Sequence, residues 1–265
     1  FRIWQIILKS VKNITVIGTG NVALELSKLF LQNNFTIDAI LGRKPFSDAS
    51  LSSDLFTSNY KNIPSNSDMY LISVSDDSYK EILSMIKLKN PFIVHTSGSL
   101  KSSSLESNSQ RWGCLYPLQT IKKNRSIIWE QVPFYIEAAK KEDLSLLANV
   151  CSRNNLHYSI KNSNERNKMH IAAVIANNFT YYILSEVKEY CLKNNLQFHD
   201  LQPLIEKSIE NILNHPPHSF QTGPAVRKDY QLIEKQLTFL ENDIDLHLIY
   251  QILSKIILKK YQNEL

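Results

Sequence analysis

Up to about Lys161, short apolar runs rich in β-branched residues alternate with stretches whose apolar positions recur at helical spacing. Residues 21–34 place Val22, Leu26 and Leu29 at i, i+4 and i+7, which is one face of a helix. The predicted strands are residues 14–17, 36–41, 69–74, 92–95, 113–116, 134–138 and 157–160. The predicted helices are residues 21–34, 79–86 and 143–152. Strands separated by helices predict an α/β domain with a parallel sheet covered on both faces.

The character of the chain changes from about Asn164, where strand-like runs give way to long helical patterns. The predicted helices are residues 165–194, 201–214, 224–240 and 244–261. Asparagine, proline and acidic residues separate them. We therefore predict an α/β domain over residues 1–162 and an all-α domain over residues 163–265.

Composition limits the class of protein. Of 265 residues, 43% are hydrophobic and 21% are charged, which is ordinary for a folded domain. No apolar run reaches the roughly 18 residues that a membrane helix needs, and the net charge of +5 comes from scattered lysines, so we expect neither membrane nor nucleic-acid binding. The three cysteines lie far apart without a CxxC pair, which favours a reducing cytoplasm and no metal cluster.

Two further features concern the N-terminus and the glycines. Residues 1–12 open with a short apolar stretch, too short for a membrane span and without a basic lead or cleavage site, so we expect a frayed extension or an extra strand. The chain has only six glycines, and we expect them at positions where a side chain does not fit.

A glycine turn links the first predicted strand to the first predicted helix. Its sequence, GTGNVA at residues 18–23, has GxGxxA spacing: Gly18 permits a tight turn, Gly20 permits close approach of a pyrophosphate, and Ala23 lets the helix pack on the strand. The helix N-terminus offers free N–H groups to phosphates. The turn predicts dinucleotide binding rather than a purely structural turn, with five candidate cofactor-binding residues: Gly18, Thr19, Gly20, Asn21 and Val22.

The end of the second predicted strand distinguishes NADP from NAD. An NAD site usually carries an acidic residue there for the ribose 2′-hydroxyl. Here Arg43 and Lys44 follow the strand, while Asp38 lies in its middle. Two cations suit a 2′-phosphate, so we predict NADP, although both could simply solvate a loop. Val74 and Ser75 follow the next strand and are expected to border the same cofactor.

Polar residues also follow the fourth predicted strand. His95 and Ser97 should lie near the nicotinamide by the same rule and are candidate substrate-binding residues. The alternative for His95 is a packed histidine at a strand end.

The first helix of the second part carries polar residues within an apolar stretch. His170 and Asn177 are two turns apart and point the same way, with Arg166 one turn before and Asn178 beside them. Buried polar groups must be paired, so they either satisfy one another or face a ligand. We favour a ligand, with His170 as the proton donor and Asn177 and Asn178 orienting a carbonyl or imine.

The segment QTGPAVRKDY, residues 221–230, opens the predicted helix over residues 224–240. Thr222 or Gly223 can cap that helix, and Pro224 suits its first turn. Thr222, Gly223 and Arg227 are therefore candidates for binding a substrate carboxylate. The alternative is an ordinary capped helix start with an ion pair.

Together these segments resemble a Rossmann-like family often labelled NADP oxidoreductase, with a C-terminal domain of unknown function. The resemblance rests on GTGNVA, VSDD (74–77), HTSGS (95–99), GCLYPLQT (113–120), QTGPAVRKDY and the helix that carries Arg166, His170, Asn177 and Asn178. More distantly, the chain is similar to pyrroline-5-carboxylate reductase, ketopantoate reductase and the 3-hydroxyacid dehydrogenases. The resemblance implies two domains and an NADP-type cofactor, without naming a substrate.

The chain also departs from these relatives. The hydroxyacid dehydrogenases use a lysine with an asparagine four residues later, whereas here Ala172 lies four residues after Lys168. QTGPA matches only the end of the reductase's glycine-rich SGSGPA-like segment, so proline formation is not implied.

The leading hypothesis is an NADPH-dependent oxidoreductase that reduces a small carbonyl or imine compound in the cleft between the domains. The alternative is a non-catalytic NADP-binding sensor or assembly protein. The apolar last helix, residues 244–261, predicts a homodimer built on the helical domain, unless that helix packs within one subunit.

Overall fold

The computed structural model describes residues 10–123 and 125–261. The extension or extra strand predicted over residues 1–12 falls mostly on residues 1–9, which lie outside the described residues. By compactness the chain divides into two units, Phe1–Ala173 and Val174–Leu265.

The first unit is built on an eight-stranded sheet. Its strands are β1 (Asn13–Ile17), β2 (Thr36–Leu41), β3 (Phe56–Thr57), β4 (Met69–Ile72), β5 (Ile93–His95), β6 (Trp112–Pro117), β7 (Phe134–Ala138) and β8 (Tyr158–Ile160). Every residue of β4, β5 and β6 is buried, as expected of strands covered on both faces. The seven predicted strands are all present, with ends that differ by a residue or two from the prediction.

The strand order is β3-β2-β1-β4-β5-β6-β7-β8. β1 pairs in parallel with β2 on one side and with β4 on the other, so the chain path reverses direction between β1 and β4. In open α/β sheets, this reversal point at the carboxyl ends of the strands is where ligands bind.

The sheet departs from the predicted all-parallel arrangement at one pairing, because β7 runs antiparallel to β6. No α-helix lies between these two strands in the described part of the chain, and an antiparallel neighbour needs no crossover helix. β3 was not predicted, since two residues are too few to show an alternation.

Helices α1 (Asn21–Gln32), α2 (Tyr79–Met85) and α3 (Lys141–Arg153) pack on the sheet, and α4 (Ser163–Ala173) follows β8. α1 buries Ala23, Leu26 and Phe30 completely, and these residues join the core cluster with the strands. The face predicted from apolar spacing is therefore the face that packs on the sheet.

The second unit is helical. A π-helical segment, Val174–Phe179, is followed by α5 (Thr180–Lys193), α6 (Gln202–Asn214), α7 (Tyr230–Phe239) and α8 (Ile244–Lys260). The helix predicted over residues 165–194 is confirmed as a helical stretch from Ser163 to Lys193, but its π-helical turns divide it into α4 and α5. Such turns add a residue to the hydrogen-bonded ring and leave no signature in the spacing of apolar residues.

The start of α7 also corrects the prediction. Residues 224–228 form turns, and the helix begins only at Tyr230. Lys228 adopts a φ of 59°, outside the helical region, and the Asp229 carboxylate accepts a hydrogen bond from the amide of Leu232, which caps the helix. Thr222 and Gly223 therefore do not cap this helix.

The two units meet in sequence later than the predicted boundary near residue 162. α4 belongs to the first unit, and two of its side chains bond within that unit: Arg166 to Glu137, and His170 to Tyr116. Strand-like patterns in the sequence stop near residue 162, whereas the first compact unit of the structure ends at Ala173.

Asparagine takes the place of glycine where helices end. After α1, α3 and α5, residues Asn34, Asn155 and Asn195 have φ of 60°, 52° and 56°. In each case the next residue donates its amide to a carbonyl five residues earlier, for example Leu156 to Cys151 at 3.0 Å. This is the Schellman arrangement, in which asparagine is the usual alternative to glycine.

Within the described residues, no helix is long and apolar enough to cross a membrane. The same residues contain no group of three or more histidine, cysteine, aspartate or glutamate side chains placed to hold a metal ion.

We expect Asn155→Val to lower the free energy of unfolding by about 1–2 kcal/mol, because a β-branched residue is strained at positive φ. Asn155→Gly should match or exceed the wild type. Urea-induced unfolding measures both, with Ser152→Val, an exposed position on α3 itself, as the control for the added side chain. Equal stability of the valine and glycine variants would contradict the assignment.

Candidate functional site

The glycine turn after β1 is held tightly against both neighbouring strands. The amide of Gly18 donates to the carbonyl of Leu41 at the end of β2, at 2.7 Å. Gly18 has a φ of 130°, and a Cβ there would lie 2.0 Å from the carbonyl oxygen of Ser73, just after β4. The turn therefore requires glycine for its backbone conformation and for its contact with β4.

The second glycine of the turn faces open space. A Cβ on Gly20 would meet no atom within 4 Å, and Gly20 is the N-cap of α1 without a side-chain cap. The first turn of α1 contains no acidic residue. Unsatisfied amides and the positive end of the helix dipole therefore remain available to an anion at this end of α1.

A large cavity, about 1010 Å³, opens at this point of the sheet. All nine candidate cofactor-binding residues line it: Gly18, Thr19, Gly20, Asn21, Val22, Arg43, Lys44, Val74 and Ser75. Ser97, a candidate for substrate binding, lines it as well. The structure therefore brings together residues from the ends of β1, β2, β4 and β5.

Part of the cavity lining consists of residues that were not predicted from the sequence. Tyr60, Glu81, Thr96 and Ile121 all face the cavity. Ile121 lies in the loop after β6, and its carbonyl accepts a hydrogen bond from the Asn21 side chain at 3.2 Å, which fixes that loop against the start of α1. Of these four residues, only Thr96 could have been predicted, because it directly follows a predicted strand.

No acidic residue lies at the end of β2, where Gly42 follows the strand. A Cβ on Gly42 would lie 2.5 Å from Cγ2 of Thr19, so the glycine turn leaves no room for a side chain there. Asp38 is engaged elsewhere, accepting hydrogen bonds from Asn13 and Ser67. The two residues that follow Gly42, Arg43 and Lys44, are cations that line the cavity, which also holds the acidic residue Glu81.

His95 is fully buried at the end of β5. Its Nε2 lies 2.9 Å from Oγ of Ser102, and its Nδ1 accepts a hydrogen bond from the amide of Ser97 at 3.2 Å. Burial, reinforced by the charge of Arg166, lowers the pKa of His95 to about 3. The geometry favours a packed, neutral histidine over a substrate-binding one.

Arg166 is fully buried, so it does not face a ligand with the other polar residues of its helix. Its Nη1 donates to Oε2 of Glu137 at 2.7 Å, and its Nη2 donates to the carbonyl of Leu100 at 2.5 Å. Ser102 and Ser163 also donate to the Glu137 carboxylate. This buried network joins α4 to β7 and to the segment after β5.

The network also determines the protonation of Glu137. Burial alone would raise the pKa of this carboxyl, but hydrogen bonds from Ser102, Arg166 and Ser163 outweigh burial and hold the pKa below 4.5. Glu137 is therefore ionised at neutral pH and neutralises the arginine.

His170 lies one turn after Arg166 and is half-buried. Its Nδ1 is 2.9 Å from the hydroxyl of Tyr116, near the end of β6. A Cβ on Gly98 would lie 2.6 Å from the same nitrogen and 2.9 Å from Cζ of Tyr116, so both rings pack on this glycine. Gly98 follows Ser97, which lines the cavity.

The remaining candidate residues lie in the second unit. Asn177 and Asn178 are exposed residues of the π-helical segment, and the Asn177 amide donates to Oδ1 of Asn178 at 3.1 Å. Thr222 borders a separate apolar pocket of about 310 Å³ between α5 and α8. Gly223 has a φ of 109°, and Arg227 is exposed in the turns before α7.

Residues 132–257 match the family model of a domain of unknown function, DUF2520. No curated protein sequence matches the chain. The family description fits the resemblance found in the sequence, which placed a domain of unknown function in the C-terminal part.

Solved structures similar to the chain share its fold over nearly the whole length. A Bacteroides fragilis protein described as a "putative NADP oxidoreductase" is 29% identical, with a TM-score of 0.84 over 95% of this chain and 99% of that chain. An imine reductase from Myxococcus stipitatus in complex with NADP⁺ is 11% identical, with a TM-score of 0.71 over 94% of each chain. A Plasmodium falciparum pyrroline carboxylate reductase with NADP bound is 16% identical, with a TM-score of 0.55 over 95% and 97%.

Arg166→Met should lower the free energy of unfolding at pH 7 by about 3 kcal/mol, because it leaves the Glu137 carboxylate partly buried and unpaired. The depressed pKa of Glu137 in the wild type contributes stability above pH 4.5, and this contribution is lost as the pH falls through the lower folded value. The difference between the two proteins should therefore shrink in acid. Urea titrations at neutral and acidic pH measure it, and a pH-independent difference would contradict this role for the ion pair.

Proposed function

We propose that this protein is an NADPH-dependent oxidoreductase acting on a small carbonyl or imine compound. The observation that carries the proposal is the cavity at the reversal point of the sheet. It combines a glycine turn, an α1 N-terminus without acidic residues, and two cations after β2.

The residues present fit such a cofactor. The open space beside Gly20 and the free amides of Asn21 and Val22 suit a pyrophosphate. Arg43 and Lys44 suit a 2′-phosphate, since arginine offers a bidentate fork and lysine a point charge. The exclusion of a side chain at Gly42 by Thr19 supports NADP over NAD.

When bound, NADPH supplies a hydride to an electrophilic carbon. The chain must supply a proton to the oxygen or nitrogen that gains charge, and His170 is the candidate donor. Its Nε2 has no hydrogen-bond partner among the described residues, while Nδ1 is held by Tyr116. Histidine suits general acid chemistry near neutral pH.

The similar structures support the reaction class. The Bacteroides fragilis protein is described as a "putative NADP oxidoreductase", and two others are an imine reductase and a pyrroline carboxylate reductase with NADP bound. Asn177 remains a proposed catalytic residue, and Asn178, Thr222, Gly223 and Arg227 remain proposed substrate-binding residues of the second unit. Ser97 is the proposed substrate-binding residue of the first unit.

A homodimer built on the second unit is part of the proposal. Its helices expose large apolar side chains: Leu204 and Leu213 of α6 are 66% and 77% exposed, and Ile244 and Ile256 of α8 are 77% and 58% exposed. Exposed apolar surfaces of this kind often mark protein–protein contacts. A second copy would cover them.

Arg43→Glu should weaken NADPH binding about 10-fold or more and change NADH binding much less, since only NADPH carries the 2′-phosphate. Titration of the purified protein with each nucleotide, followed by nicotinamide fluorescence, measures both affinities. Lys89→Glu, an exposed position outside the cavity with the same charge change, is the control. If the wild type bound neither nucleotide, the glycine turn would be purely structural and the oxidoreductase proposal would fail.

His170→Ala should lower NADPH-dependent turnover about 100-fold while NADPH affinity stays within twofold, because His170 does not line the cavity. NADPH oxidation is followed with a panel of 2-oxo acids, aldehydes and cyclic imines. Turnover equal to the wild type would remove His170 from the mechanism. Binding of NADPH without turnover of any panel compound would favour the sensor or assembly protein.

A further inference from the structure

The hydrogen bond between Tyr116 and His170 joins residues far apart in the sequence. Tyr116 lies on β6 and His170 on α4, with 2.9 Å between the tyrosine oxygen and Nδ1. The two rings meet edge to face, with centroids 5.9 Å apart and planes at 81°. Tyr116 lies in the motif GCLYPLQT (113–120), but neither the sequence analysis nor the proposed function so far assigns it a role.

The direction of this hydrogen bond follows from the surroundings of the tyrosine. Tyr116 is 8% exposed, and Nδ1 of His170 is the only hydrogen-bond partner of its hydroxyl among the described residues. If the hydroxyl only accepted a hydrogen bond from Nδ1–H, its own proton would be buried without an acceptor, which is costly. The hydroxyl therefore donates to Nδ1. Burial raises the pKa of Tyr116 to about 12, so the hydroxyl keeps the proton that it donates.

We propose that Tyr116 is a positioning residue that fixes the tautomer of His170. With Nδ1 accepting from the tyrosine, the neutral imidazole carries its proton on Nε2, the nitrogen that has no partner in the described part of the chain. Nε2–H is then the group presented to the oxygen or nitrogen of the substrate. The inference rests on the proposed function for the role of His170, but the tautomer itself does not.

The rings of Tyr116 and His170 have little room to move relative to each other. Gly98 lies directly behind both rings, so a change of ring position would need a shift of the segment after β5. Arg166, one turn earlier on α4, bonds to Leu100 in that same segment and to Glu137. The buried network therefore holds α4 and the segment after β5 together, with the tyrosine–histidine pair between them.

The proton step balances without a further reactant. As charge develops on the substrate oxygen, the Nε2–H bond breaks and an O–H bond forms. Nδ1 takes the proton of the Tyr116 hydroxyl, so the imidazole remains neutral. After the product leaves, Nε2 takes up one proton from solvent and Nδ1 returns its proton to the tyrosinate, which restores the starting tautomer. An alkoxide is more basic than a tyrosinate with a conjugate-acid pKa of about 12, so the transfer is downhill.

The tautomer can be measured by NMR in the intact protein saturated with NADP⁺. The chain has seven histidines, and with ¹⁵N-labelled histidine the signals of His170 are those lost in His170→Gln. Spectra are taken at about pH 8, above the ordinary range of histidine titration. We expect a protonated Nε2 and an unprotonated Nδ1 in the wild type. A proton on Nδ1 there would overturn the proposal, and this measurement needs no substituted tyrosine.

Tyr116→Phe should convert His170 to a mixture of the two tautomers. The matched control is Tyr135→Phe: Tyr135 is equally buried at 8% exposure, and its ring lies 6.3 Å from that of Tyr116, but it does not bond to His170. The control should leave the tautomer unchanged. An unchanged tautomer in Tyr116→Phe, or an equal change in Tyr135→Phe, would contradict the assignment.

Turnover separates this inference from the proposed function. If both hold, Tyr116→Phe lowers the turnover of NADPH with a panel substrate about 100-fold and leaves NADPH affinity unchanged. Tyr135→Phe should change neither the turnover nor the tautomer of His170. If the tautomer changes in Tyr116→Phe but His170→Ala retains full turnover, the tyrosine fixes the tautomer and the catalytic role of His170 is wrong.

Discussion

The contact between Gly18 and the carbonyl of Ser73 is the constraint on which the cavity depends. β1 lies between β2 and β4, so the turn that follows β1 must pass the ends of both strands. At Gly18 the chain lies so close to Ser73 that even a Cβ would lie 2.0 Å from the carbonyl oxygen. A larger residue would separate the turn from Val74 and Ser75, and the cavity would lose one wall.

Local patterns explain why the cofactor end of the site could be predicted. Gly18, Gly20 and Arg43 lie directly after strands whose apolar runs are easily recognised, and the topology of an open sheet brings such positions together. The short edge strand Phe56–Thr57 and the antiparallel β7 lack a comparable signal. Pro224 suits the first turn of a helix and so predicts an earlier start for α7. The positive φ of Lys228 and the cap formed by the Asp229 carboxylate place the start at Tyr230 instead.

The polar residues of α4 and the segment after it illustrate the limit of periodicity. Arg166, His170 and Asn177 share one face by spacing, yet Arg166 is buried with Glu137, His170 is half-buried beside Tyr116, and Asn177 is exposed in the π-helical segment. The spacing of residues predicts on which side of a helix a side chain lies. Whether that side chain is buried or exposed depends on which other parts of the chain pack against each turn. The partner of His170 lies 54 residues away, beyond the reach of any local pattern.

Glycine and asparagine occupy different kinds of backbone position in this chain. Positions that need only a left-handed backbone at a helix end carry asparagine, as Asn34, Asn155 and Asn195 do. Positions where a Cβ would come within 3 Å of another atom carry glycine; these are Gly18, Gly42, Gly98 and Gly113. Asparagine can therefore replace glycine at the helix ends without altering the backbone, but not at these sterically closed points. Those four glycines therefore mark the places where a side chain does not fit, and three of the four border the cavity or the tyrosine–histidine pair.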